Sequence, residues 1–68
     1  MATHTIPPWA SEVAGRCILA GIRYKDLAKR AGLNDKYLSQ LMHGHVVSDN
    51  ARLKVFRALD VMEAEARA

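Results

Sequence analysis

Residues 27 to 41 read Leu27-Ala28-Lys29-Arg30-Ala31-Gly32-Leu33-Asn34-Asp35-Lys36-Tyr37-Leu38-Ser39-Gln40-Leu41, and this stretch decides the fold. Leu27, Ala28 and Ala31 form the inward side of one helix, while Lys29 and Arg30 point outward into solvent. Gly32 then supplies the positive φ that a turn of three or four residues requires. Asn34 is an N-cap for a following helix, because its side-chain oxygen can accept from an amide in the first turn. Tyr37, Leu38, Leu41 and Met42 give that helix its apolar side. The small residue types also have mechanical roles. Ala28 lets the second helix of the pair cross the first closely, Leu33 plugs the turn into the core, and Leu38 and Leu41 seat the crossing helix.

Working outward, the first helix of this pair starts near Tyr24, and Gly21 ends an earlier one. That earlier helix opens at Pro7-Pro8, where a proline loses no hydrogen bond the helix would have made. Its apolar stripe runs through Trp9, Val13 and Cys17, with Ala10, Ala14 and Ile18 beside them. Downstream, the helix from Asp35 reaches about His43, Gly44 closes it, and Gly44 to Val47 form a loop. Ser48 caps a last helix, with Asp49 in its first turn as the helix dipole favours. Ala51, Val55, Ala58, Leu59 and Met62 share one face of it. Leu53 lies well off that face and Phe56 at its edge, a surplus of apolar surface for so small a core. The expected architecture is an all-α domain of four helices, or five, over residues 7–68, containing a helix-turn-helix and preceded by a flexible arm at residues 1–6.

The chain has 68 residues with 10 Lys+Arg, 7 Asp+Glu, a formal net charge of +3 and one cysteine. A domain of this size buries only about 60% of its unfolded surface, which leaves no room for a deep catalytic chamber. A single cysteine makes no internal disulfide, no apolar run spans a bilayer and no export signal is present. These features point to a reducing compartment, the cytoplasm, and away from membranes. Charge is unevenly placed: residues 23 to 57 hold eight basic and three acidic residues, the flanks two basic and four acidic. Such an asymmetry suits a surface that meets a polyanion.

The signature Ala28, Gly32, Leu38 resembles the helix-turn-helix domains of phage Cro and repressor proteins, the XRE-like family. The likeness extends through Trp9-Ala10-Ser11-Glu12-Val13, Gly21-Ile22, His43-Gly44 and Ala58-Leu59, roughly fifty residues in all. Arg23 stands where that family usually has a Thr or Ser cap, and Tyr24 where it usually has Gln, so the phosphate grip there is altered. Gly15 occupies a helix interior, at a cost of about 1 kcal/mol relative to Ala. Leu19 faces outward at a position more often charged.

The resemblance implies a lambda-repressor-like fold whose third helix enters the major groove of double-stranded DNA. The base-facing residues would be Asn34, Asp35, Lys36, Ser39, Gln40 and His43, with Gln40 suited to adenine and Lys36 to guanine or a phosphate. Tyr24, Lys25, His45, Arg52 and Lys54 would hold phosphates. The function implied is a small transcriptional repressor of phage or mobile-element origin that occupies an operator. Leu53 and Phe56 would join two copies over an inverted repeat. No enzyme activity, cofactor, metal or small-molecule effector is expected. His43 and His45 fall short of a zinc ligand set, and Cys17 belongs to the core. The alternative is an antitoxin-like or inhibitor protein that uses the same scaffold to bind another protein.

Overall fold

The computed structural model describes residues 6–67; the first five positions of the expected arm, and Ala68, lie outside the described residues. Four helices follow in order: α1 (Pro8–Ala20), α2 (Tyr24–Ala31), α3 (Asp35–Met42) and α4 (Asp49–Arg67), with no strand among the described residues. Helix α4 packs across α1 and α2, and α3 packs on α2.

Local chemistry sets the boundaries. Pro7 is the extended N-cap of α1 and Pro8 its first helical residue. Helices α1, α2 and α3 all end in the same way, with a left-handed glycine after the last turn: Gly21 at φ 69°, Gly32 at 76° and Gly44 at 80°. In each, the glycine amide donates to the carbonyl three residues back and the next amide donates to the carbonyl five back. The longer bonds are Ile22 N to Cys17 O at 2.8 Å, Leu33 N to Ala28 O at 2.8 Å and His45 N to Gln40 O at 2.9 Å. This is the Schellman closure, and its accompanying apolar contact is supplied by Ile22 and Leu33, which pack against the core. At the other ends, Asn34 Oδ1 accepts from Tyr37 N at 2.7 Å and Ser48 Oγ from Ala51 N at 3.2 Å. Arg23, at the start of α2, makes no side-chain cap.

The core draws on every helix. Val13, Leu27, Val55 and Leu59 are fully buried, with Cys17, Leu38 and Leu41 nearly so. Burying each such aliphatic side chain is worth about 1.5–3 kcal/mol. Among the described residues no polar side chain is buried and no buried side-chain nitrogen or oxygen lacks a partner, so the interior places no hydrogen-bonding demand on its neighbours. No described helix is long and apolar enough to cross a membrane.

Two expectations are corrected by the packing and a third is extended. Ile18, assigned to the flank of the α1 stripe, is 79% exposed, because α1 turns Ala10, Val13 and Cys17 toward its neighbours and leaves Ile18 outside. Arg30 does point outward and is exposed, but with a partner the sequence did not disclose: its guanidinium makes a two-bond pair with Glu65 at 2.8 Å and 2.8 Å. Phe56 packs within the chain, edge-on to Trp9 with ring centroids 6.0 Å apart and 5.9 Å beneath the Arg16 guanidinium. The apolar surplus of α4 is therefore Leu53 and Val61, each about half exposed.

Candidate nucleic-acid interface

Helix α3 turns Leu38, Leu41 and Met42 into the core. Its periodicity then sends Lys36, Ser39, Gln40 and His43 to the opposite side, spaced i, i+3, i+4 and i+7. Lys36, Ser39 and His43 are exposed and Gln40 is half-buried. Asp35 stands exposed at the edge of this face in the first turn, where the helix dipole favours a carboxylate. Asn34 is exposed as well; its Oδ1 accepts the cap bond, which leaves that oxygen's second lone pair and the amide nitrogen to meet another group. His43 is oriented by a 2.8 Å contact from Nδ1 to the Ser39 carbonyl, which directs Nε2 outward.

Flanking groups gather at both ends of this face. Near its C-terminal end, Tyr24 and His43 border one depression together with Ser11 and Met42. Partial burial pushes the Tyr24 phenol above its ordinary value, so at neutral pH it remains a hydrogen-bond donor. The His45 ring lies 6.4 Å from that of His43, centroid to centroid. At the other end, Lys54 borders a depression with Asn34, Tyr37 and Ser48. Lys25 is exposed in the first turn of α2. Arg52 does not join Lys54: it lies on another side of α4, beside Val46 and Val47, and its guanidinium reaches Asp49 at 3.6 Å.

One residue of this surface escaped the sequence reading. Asn50 is exposed and lines the same depression as Lys54 and Asn34. Its position four residues before Lys54, on the same side of α4, was the available signal.

Besides Arg52, paired with Asp49, and Arg67, whose Nε donates to the Glu63 carbonyl, the basic residues fall into two groups. Arg23, Lys25, Lys29, Lys36, Lys54 and Arg57 form no ion pair among the described residues. Arg16 and Arg30 are tied to carboxylates of α4. Arg16 donates twice to Glu63, from Nε at 3.0 Å and Nη2 at 2.5 Å, and once to Asp60 at 2.7 Å; it also reaches Glu12 at 3.5 Å. These bonds hold the Glu63 carboxyl below its ordinary 4.5, and Arg30 does the same to Glu65. Cys17 is buried, which pushes its thiol up and keeps it an unreactive part of the core.

Compared with protein-family models, curated proteins and solved structures, the chain matches none.

Proposed function

We propose that this chain is a sequence-specific double-stranded DNA-binding regulator of the helix-turn-helix kind, acting as a repressor by occupying an operator. The observation that carries this reading is the coincidence of a polar, outward α3 face with unpaired cations around it. A B-DNA major groove admits one helix, and Lys36, Ser39 and Gln40 carry the donors and acceptors that base edges present. Lys54 borders one end of that face and Lys25 is exposed in the first turn of α2, both without carboxylate partners, so phosphates would meet cations that no internal bond has to release. Tyr24 and His43, together at the far end, add a phenol donor and an imidazole nitrogen. In this reading a second copy joins through the half-exposed Leu53 side of α4, and two α3 helices about 34 Å apart address an inverted repeat.

Selection of duplexes from a random oligonucleotide pool, followed by binding of the selected site at several salt concentrations, tests the reading. Affinity should fall with salt at a log–log slope of about −0.9 per phosphate contacted. Gln40→Ala should cost about 1–3 kcal/mol on the selected site and relax choice at one base pair, while Lys54→Ala should weaken all duplexes alike. A salt-independent affinity removes DNA as the partner. Uniform weakening by Gln40→Ala, with base preference intact, removes α3 as the reader.

A further inference from the structure

The exposed Ile18 has a counterpart on its own helix. Ile18 is 79% exposed near the C-terminal end of α1, and at 100° per residue it stands about 20° round the helix from Ser11 and about 40° from Ala14. Ser11 and Ala14 line the depression that Tyr24 and His43 border, and Ile6, Ala10 and Met42 complete its apolar walls. One face of α1 therefore carries a large aliphatic knob and, about 6–10 Å nearer the N-terminus, a largely apolar hole. Gly15 lies between them. A Cβ built there meets nothing within 4 Å, so nothing inside the chain accounts for a glycine in this helix interior. The face is also free of fixed charge: on α1, Glu12 and Arg16 stand about 120° and 160° from Ile18, and no carboxylate, lysine or arginine lines the depression.

We propose that this face is a contact between two copies of the chain, their α1 helices antiparallel and crossing near Gly15, with each Ile18 seated in the other's depression. The arrangement of knob and hole selects the occupant. A two-fold axis makes residue i meet j while j meets i, so a surface that carries both members of a contact is completed by its own copy. The helices must run antiparallel, because the knob lies toward one end of α1 and the hole toward the other. Gly15, without a side chain, lets the two axes approach where they cross. With no carboxylate, lysine or arginine on the face, the two-fold opposes no like charges, whereas nucleic acid or an anionic membrane would find no fixed cation there. The contact is separate from the Leu53 side of α4, and it stands whether or not α3 reads DNA.

Amide shifts of the isotope-labelled chain, recorded by NMR from about 10 μM to about 1 mM without DNA, test this directly. Ser11, Ala14, Ile18 and Tyr24 should move together as concentration rises. In a mixture of labelled and unlabelled chains, the Ile18 methyl groups should show intermolecular contacts to Ala14 and Ile6. Ile18→Asp and Gly15→Leu should each weaken self-association by about tenfold or more, while Leu53→Asp should leave it unchanged. All three positions are exposed, and circular dichroism checks that each variant is folded. Shifts that do not change with concentration, or unchanged association in both folded α1 variants, overturn the proposal. So do intermolecular contacts of Ile18 to Ile18 in place of Ala14, or a loss of association in Leu53→Asp.

Discussion

The far half of α4, with the arginines that reach it, and the surface around α3 use the same residue types in opposite ways. On the first, Arg16 and Arg30 reach across 47 and 35 residues of chain to Glu63 and Glu65, so their charges hold helices together. On the second, Lys25, Lys36 and Lys54 hold nothing within the described residues. Charge already bonded inside a fold contributes to stability and is poorly placed to bind; unbonded charge contributes little to the fold and is free to meet a partner. The net charge of +3 conceals this division, because the internally committed arginines and the uncommitted lysines count alike in it.

The strongest perturbation lies in the residues both sides share. Leu38→Ala removes a side chain 1% exposed that joins α3 to the core, and it should cost about 2–5 kcal/mol by denaturant unfolding. A cost under about 1 kcal/mol would mean that α3 is not seated as described. The next test separates the sides themselves. Arg16→Ala should lose about 1–2 kcal/mol, because a half-buried network with two bonds to one carboxylate is worth more than an exposed pair. Duplex binding by the folded variant should be unchanged. Lys36→Ala should stay within about 0.5 kcal/mol of the parent in stability while weakening duplex binding. If the two variants lose stability equally, the division of labour fails.

How far the amino-acid order discloses this arrangement depends on the range of each interaction. Gly21, Gly32, Asn34 and Ser48 mark helix ends through bonds to amides or carbonyls at most five residues away, and all four ends stand where the residue types place them. The outward face of α3 follows in the same way from 3.6-residue periodicity. Ile18 misleads because a wheel gives α1 a stripe without saying how wide its neighbours are; the placement of α4 decides that Ala10, Val13 and Cys17 suffice. The partners of Arg16 and Arg30, and the Trp9–Phe56 contact, join distant parts of the chain, and no local pattern distinguishes Glu63 and Glu65 from other solvated glutamates. Lys54 and Arg52, two residues apart, diverge to different sides of α4, which a charge count treats as one patch.

Acid should affect only the bonded side. Glu63 and Glu65 both titrate below their ordinary 4.5 because of Arg16 and Arg30, so the folded state binds fewer protons than the unfolded chain at mildly acid pH. Their stabilisation is present at neutral pH and is lost as pH falls below about 4.5 through the lowered values. Thermal unfolding followed against pH should show this decline, and Glu63→Gln should flatten it; an unaltered acid limb in that variant would remove the network as its cause. The smallest effect expected is a gain. Gly15 is exposed in the interior of α1, and a Cβ built there meets nothing within 4 Å, so Gly15→Ala should stabilise by about 0.5–1 kcal/mol. A loss on that substitution would indicate a backbone constraint at Gly15 that its surroundings do not display.

The position of α4 in the chain also has a consequence during biosynthesis. Val13, Cys17 and Leu27 are buried in a core that α4 completes, and Arg16 and Arg30 find their carboxylates only near its far end. At ribosomal rates of about 5–20 residues per second, the 19 residues of α4 take roughly one to four seconds to make. Throughout that interval the nascent chain carries α1 to α3 with an open apolar side and two unsatisfied guanidiniums.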